Sequence, residues 1–291
     1  MGALYKTLQT VDADFYRKKK RYEANCNKNV SNDEFIKDGY MPISGGGKMN
    51  GTGTSVFDPV LCETQYLWFT AKGDKIIDPF AGGSVRGIVA VELGRQYVGI
   101  DLRKEQVDAN IENAEICTGD KPVWICGDST EIKTLAKDEY DFLFTCPPYG
   151  DLEKYSDDHK DISNMSNDDF DKTYLDIMCK AATMVKQDRF ASVVVGNYRD
   201  KNGFLRDLVG LTITAMEKGG FRYYNDFVFI TPCGSLPIRT GKQFNSARKA
   251  GKTHQYCLNF VKGDPKKATE RLGDIEIPDL DQYMSDEDYG E

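Results

Sequence analysis

Short apolar runs alternate with mixed polar stretches through the middle of the chain, and the spacing within each run predicts its element. Ile76-Ile77-Asp78, Tyr97-Val98-Gly99-Ile100-Asp101 and Val123-Trp124-Ile125-Cys126-Gly127-Asp128 read as strands that each close on a carboxylate. Tyr140-Asp141-Phe142-Leu143-Phe144 and Phe190-Ala191-Ser192-Val193-Val194-Val195-Gly196-Asn197 read as two buried strands. Tyr223 to Ile230 and His254 to Val261 add a final pair. Helices are expected after the glycine turn, through Ile88-Val89-Ala90-Val91, around Tyr174 to Val185, and over Phe204 to Lys218. Strands in succession with helices between them describe an open, largely parallel α/β sheet with one ligand edge.

Two segments carry chemistry at that edge. Asp78-Pro79-Phe80-Ala81-Gly82-Gly83 leaves a strand, turns through glycines and enters a helix. Such a turn brings backbone close to a ligand, because only glycine leaves room there. Asp101 stands where doubly wound folds accept hydrogen bonds from a ribose diol. Neither the dinucleotide spacing nor a phosphate-loop lysine is present, and each strand-end aspartate has an alternative reading as a helix cap. The second segment is Thr145-Cys146-Pro147-Pro148-Tyr149. Proline fixes its own backbone angle and forces the preceding residue extended, so the cluster forms a rigid wall carrying a flat ring. That is a device for gripping a nucleobase by face and edge. An ordinary strand exit, with the tyrosine merely packing, is the alternative.

In this order and spacing, Asp78-Pro79-Phe80-Ala81-Gly82-Gly83, Asp101, Asp128 and Cys146-Pro147-Pro148-Tyr149 resemble S-adenosylmethionine-dependent DNA amino-methyltransferases of the adenine-N6 and cytosine-N4 class. More narrowly, Gly83-Ser84-Val85-Arg86-Gly87, Gly99-Ile100-Asp101-Leu102-Arg103 and Pro147-Pro148-Tyr149-Gly150-Asp151 are similar to phage and prophage DNA modification methylases. The resemblance runs from about Ser55 to Gly263. It implies a Rossmann-like class I fold with a mostly parallel seven-stranded sheet, helices on both faces and a C-terminal antiparallel hairpin. It implies that Asp78, Phe80, Gly82 and Gly83 hold the methionine end of the cofactor, that Asp101 takes the ribose hydroxyls, and that Asp128 takes the adenine amino group. Phe57 and Leu102 complete that set. Cys146, Pro147, Pro148 and Tyr149 would be the catalytic wall that holds a flipped base. The family usually has Asp, Asn or Ser in place of Cys146, and a thiol is a weak acceptor. The departure weakens the assignment of adenine against cytosine. A cysteine nucleophile is a further alternative, but such enzymes place proline before the cysteine. Direct transfer needs no strongly basic residue, which suits a chain whose histidines are His159 and His254.

At 291 residues with 40% hydrophobic content, the chain is long enough for one large domain with appendages. It has no apolar run of membrane-spanning length and no signal core, so a soluble cytoplasmic protein is expected, in the host cytoplasm if phage-encoded. Eight cysteines without paired spacing fit reduced thiols, and no metal is expected. Residues 1–53 read as an N-terminal extension with the basic run Arg17 to Arg21 and a Gly45-Gly46-Gly47 linker. Residues 54–263 read as the methyltransferase domain, and 264–291 as a flexible acidic tail. Asp151 to Asp171 reads as a polar connection before a helix. Residues 232–253 read as a long basic loop in which Arg239, Lys242, Arg248, Lys249 and Lys252 occur without an acid, a candidate DNA contact within a chain of net charge -8. No sizeable target-recognition domain is visible, so specificity would be relaxed or supplied by loops or a partner; a homodimer is left open. An RNA or protein Gln/Asn amino-methyltransferase, or a degenerate partner subunit of the same fold, are the rival readings.

Overall fold

In the computed structural model, which describes residues 57–152, 155–230 and 236–275, the elements follow the apolar runs. They are α1 (Pro59–Phe69), β1 (Lys75–Asp78), α2 (Val85–Glu92), β2 (Gln96–Asp101), α3 (Lys104–Asn113), β3 (Val123–Cys126), α4 (Ile132–Leu135), β4 (Phe142–Thr145) and α5 (Asn167–Thr183). There follow β5 (Arg189–Val195), β6 (Tyr198–Arg199), β7 (Leu205–Arg206), α6 (Leu208–Lys218), β8 (Arg222–Ile230), α7 (Leu236–Ala247), β9 (His254–Lys262) and α8 (Pro265–Leu272). The basic run at Arg17 to Arg21, the Gly45-Gly46-Gly47 linker and residues 276–291 lie outside the described residues.

One seven-stranded sheet has the order β3-β2-β1-β4-β5-β9-β8. The strands β1 to β5 pair in parallel, and β9 runs antiparallel to both β5 and β8. This is the expected Rossmann-like arrangement with its terminal hairpin. From β1 the chain winds outward through β2 and β3, then returns to lay β4 against the other side of β1. The strand order therefore reverses between β1 and β4, and open α/β sheets bind ligands at the carboxyl ends of strands at such a point.

Period-two alternation sends neighbouring side chains of each strand into different cores. Ile77, Leu143, Ala191 and Val193 face α5 and α6, where Phe170, Tyr174, Met178 and Met216 are buried. Ile76, Phe142, Phe144 and Val194 face α1 and α2, against Tyr66, Phe69 and Val89. Because both faces are covered, the strands read as continuous apolar runs. Among the described cysteines, Cys62, Cys117 and Cys257 are buried and Cys126 is exposed. No helix among the described residues is long and apolar enough to cross a membrane.

Four segments depart from the expected boundaries, each for a local reason. The acids ahead of Tyr174 belong to α5 itself: Ser166 caps it by accepting from Asp169 N at 3.3 Å, and Asp168 and Asp169 occupy the first turn, where the helix dipole favours them. Phe204 and Leu205 belong to a ribbon, β6-β7, because α6 starts only after Asp207, whose carboxylate accepts from Gly210 N at 3.0 Å. The stretch read as a basic loop contains α7. Pro237 lies in its first turn, where proline is tolerated, and Leu236, Thr240 and Phe244 recur every four residues. The stretch read as an acidic tail begins with α8, capped by Asp264 and started by Pro265. Arg271 of α8 then grips Asp74 with two hydrogen bonds of 2.7 Å.

That grip makes α8 part of the domain. Arg271→Ala is expected to lower the unfolding free energy by about 1–2 kcal/mol, since the pair is bidentate but partly solvated. Urea denaturation measures it, and an unchanged midpoint would mean that α8 behaves as a free tail.

Candidate active site

The end of β1 is organised around one carboxylate. Asp78 is fully buried, and it accepts four hydrogen bonds from within the protein. Oδ2 accepts from Arg86 Nε at 2.7 Å and from the Tyr97 hydroxyl at 2.8 Å. Oδ1 accepts from the Thr145 hydroxyl at 2.6 Å and from Phe80 N at 3.1 Å. Arg86 in turn donates through Nη2 to the carbonyls of Phe80 and Ala81, and its guanidinium lies 4.6 Å from the centre of the Phe57 ring. Burial works against the charge on Arg86, but Asp78, Tyr97 and Cys146 together outweigh it and raise the pKa. Asp78, expected to meet the cofactor, instead faces inward and sets the shape of the turn that follows it.

The turn itself is open on its outer side. Gly82 has a φ of +51°, a value that favours glycine, and a Cβ on Gly82 or Gly83 would meet no atom within 4 Å. Asp101 holds the turn from β2, with Oδ2 accepting from Gly82 N at 3.0 Å and Oδ1 from Arg103 N at 2.9 Å. Burial raises its pKa, and the bonds from Arg103 and Gly82 oppose that rise. Asn110 of α3 donates to the Gly82 carbonyl at 2.7 Å, and Ser129 donates to the Pro79 carbonyl at 2.6 Å. Asp128 Oδ1 accepts from the Thr130 amide and hydroxyl, as a cap for the short helical turn Ser129–Glu131. Leu102 is half-buried at the same edge, its carbonyl 3.7 Å from Cys126 Sγ. Phe57 meets Phe144 edge-on at 5.8 Å, while the Phe80 ring stacks on Tyr174 at 6.0 Å, on the α5 side of the sheet.

Beside this turn, Cys146-Pro147-Pro148-Tyr149 continues from β4, and the Thr145–Asp78 bond joins the two. Pro147 is buried and Cys146, Pro148 and Tyr149 are half-buried. The Tyr149 ring does not stand free: it meets Tyr198 of β6 edge-on at 6.4 Å and packs against the α5 core. Its hydroxyl is buried near the Gly196 backbone without a hydrogen bond of normal geometry, and burial pushes its pKa up. Gly150 has a φ of +55°, and a Cβ there would collide with the Tyr198 hydroxyl, so only glycine lets the wall close on β6. A cavity of about 430 Å³ lies behind the ribbon, lined by Phe170, Tyr198, Arg206 and Leu208; it shares Tyr198 with the wall but no residue of the cofactor turn.

The basic candidates are spread over α7 and the segment that follows. Lys242 is exposed, and Arg248 is exposed with its guanidinium 5.3 Å from the Phe244 ring centre. Lys249 lies against Gly203, and Lys252 Nζ donates to the Asn197 carbonyl at 2.7 Å, which ties the segment to the base of the ribbon. Burial lowers the pKa of Lys252. Arg239 falls within α7. No cluster of three or more His, Cys, Asp or Glu suited to a metal ion occurs among the described residues.

The RNA cap guanine-N2 methyltransferase family model matches residues 73–220, 148 of the 291 residues, and a DNA methylase family model matches residues 15–112. The chain belongs to the S-adenosylmethionine-dependent methyltransferases. Both matches include the glycine turn at residues 78–83 and Asp101, and S-adenosylmethionine is the cofactor of this family. The resemblance to DNA amino-methyltransferases is supported by the DNA methylase match and by curated relatives. Type II methyltransferase M2.DpnII of Streptococcus pneumoniae is 49% identical over 45 residues, 16% of this chain and 17% of that protein. Type II methyltransferase M.Cfr9I of Citrobacter freundii is 35% identical over 65 residues, 22% of each. The chain thus spans 17% to 22% of the length of these relatives. Among solved structures, TrmN from Thermus thermophilus is 14% identical, with a TM-score of 0.48 over 73% of this chain and 50% of that one. A putative RNA methyltransferase from Pyrococcus horikoshii is 18% identical, with a TM-score of 0.47 over 75% of this chain and 94% of that one.

Arg86 and Thr145 fall within segments named above, whereas Tyr97, Asn110 and Ser129, which also hold the turn, carry no motif of their own. One signal was present: an arginine in the first turn of an otherwise apolar helix, eight residues after a strand-end aspartate. Breaking a buried pair leaves an uncompensated charge, so Arg86→Met is expected to cost about 3–5 kcal/mol of stability. Chemical denaturation measures this; a loss under about 1 kcal/mol would mean that the pair does not hold the turn.

Proposed function

We propose that the chain transfers a methyl group from S-adenosylmethionine to the exocyclic amino group of adenine or cytosine in DNA, with the base turned out of the duplex. The observation that carries this reading is the Thr145–Asp78 hydrogen bond, 2.6 Å long, which binds the Pro-Pro-Tyr wall to the cofactor turn at the switch point of the sheet. S-adenosylmethionine, when bound, supplies a methyl group activated for nucleophilic attack. The open backbone at Gly82 and Gly83 would admit its methionine end, while Asp101 would accept from the ribose hydroxyls and Asp128, with Oδ2 free of its own turn, from the adenine amino group. These residue types fit the group: two acceptor carboxylates at strand ends and a stretch of backbone at Gly82 and Gly83 that no neighbouring atom covers within 4 Å.

The wall would hold the target amine. Its lone pair is delocalised into the base, so an acceptor on the N–H raises electron density on nitrogen as the bond forms, and fixed orientation lowers the barrier further. The Pro147 carbonyl can serve as that acceptor; Cys146 offers only a weak one. Because the proton leaves as the bond forms, no strong base is needed. Tyr149, packed on Tyr198, would meet the base with the part of its ring left exposed.

A second reading, transfer to an exocyclic amine of RNA, is favoured by the RNA cap guanine-N2 match over residues 73–220. Incubation with labelled cofactor and unmodified duplex DNA or RNA, followed by nucleoside mass spectrometry, decides between them. Methylated adenine or cytosine from DNA is expected; methylation confined to RNA would replace the reading, and none on either would remove it.

Within this reading the two site halves separate. Tyr149→Ala is expected to lose most methyl transfer while cofactor affinity by calorimetry stays close to wild type. Asp101→Ala is expected to weaken cofactor binding first, on the order of tenfold for the loss of charged hydrogen bonds. Parallel loss of both properties in Tyr149→Ala would contradict the division.

A further inference from the structure

The ribbon β6-β7 leaves the sheet at the carboxyl end of β5, directly beside the wall, and Tyr198 at its base touches both Tyr149 and Gly150. It is held rigidly. Asn197 accepts from Val209 N at 2.9 Å and from Lys252 Nζ at 2.7 Å, and Arg206 donates twice to Asp171, at 2.7 and 2.6 Å. The turn at its tip is fixed as well: Asp200 N donates to the Phe204 carbonyl at 2.9 Å, Phe204 N donates back to Asp200 Oδ1 at 2.9 Å, and Gly203 takes a φ of +86°. This scaffold holds an apolar pair in water, with Phe204 74% and Leu205 59% exposed.

The surroundings indicate the partner. Arg199 and Lys201 are exposed on the ribbon, Arg199 also donating to the Gly203 carbonyl at 2.9 Å, and Lys249 lies against Gly203. The acids of the segment are engaged locally, Asp200 in the turn and Asp207 in the cap of α6. A rigid exposed aromatic flanked by cations beside a base-holding wall matches an apolar wedge in a nucleic-acid duplex. Turning a base outward costs stacking and pairing, and an inserted ring replaces part of the lost stacking.

We propose that the β6-β7 ribbon contacts the duplex around the target and that Phe204 fills the space the target base vacates. The inference rests on the DNA reading above and assigns that reading its missing duplex contact. Phe204→Ala, in the full chain, is compared with wild type in methyl transfer to an intact duplex and to the same strand without its complement. The ratio of duplex to single-strand rates is expected to fall on the order of tenfold, with the melting temperature unchanged because the ring is exposed. Phe204→Trp is expected to restore the ratio, since a ring of similar character stacks as well. An unchanged ratio overturns the inference while leaving the methyltransferase reading intact. If wild type methylates neither form of DNA, the DNA reading itself fails and the inference falls with it.

Discussion

A single buried carboxylate organises the carboxyl edge of the sheet at its switch point. Asp78 accepts from Arg86, Tyr97, Thr145 and Phe80 N, and so joins the end of β1 to α2, to β2 and to the end of β4. Burying a charge is costly unless it is paired and its lone pairs are satisfied, and here both conditions hold. The Asp-Pro-Phe-Ala turn therefore has one stable shape. Arg86 fixes it further by donating to the carbonyls of Phe80 and Ala81. With four acceptor positions filled, Asp78 acts through the backbone it arranges.

The topology explains why the cofactor turn and the Pro-Pro-Tyr wall meet. The return of the chain from β3 to β4 lays the two strand ends side by side, and the Thr145 hydroxyl bridges them. Since β4 is buried on both faces, its end cannot shift without disturbing both cores. The wall is then closed from the far side by β6, whose Tyr198 fits only because residue 150 is glycine. Positive charge is arranged around this edge in two ways. Lys252 bonds to the base of the ribbon, while Lys242 and Arg248 stay exposed on and just after α7.

Local pattern was enough wherever burial is two-sided. The apolar runs that became β1, β2, β4 and β5 are continuous because helices cover both faces, and the acids that end β1 and β2 mark the ligand edge. Pattern was insufficient where polar residues form helices through caps. Ser166 and the first-turn acids of α5, Asp264 with Pro265 at α8, and Pro237 at α7 are all standard starts, yet their composition reads equally as loop or tail. Phe204 was drawn into a helix by the apolar content that follows it, whereas Asp207 caps that helix four residues into its expected span.

The sequence by itself determined the sheet-and-helix succession, the glycine turn, the strand-end carboxylates and the family resemblance, because each rests on neighbours a few residues apart. The tertiary structure decided which way those groups face. Asp78 and Thr145 stand 67 residues apart in the chain, and Asp78 and Tyr97 stand 19 apart; only the parallel pairing of strands brings them within hydrogen-bond reach. The same holds for Tyr149, whose ring is half enclosed by a tyrosine of the next strand but one. Side-chain direction at a ligand edge depends on partners that folding supplies, and no local spacing encodes them.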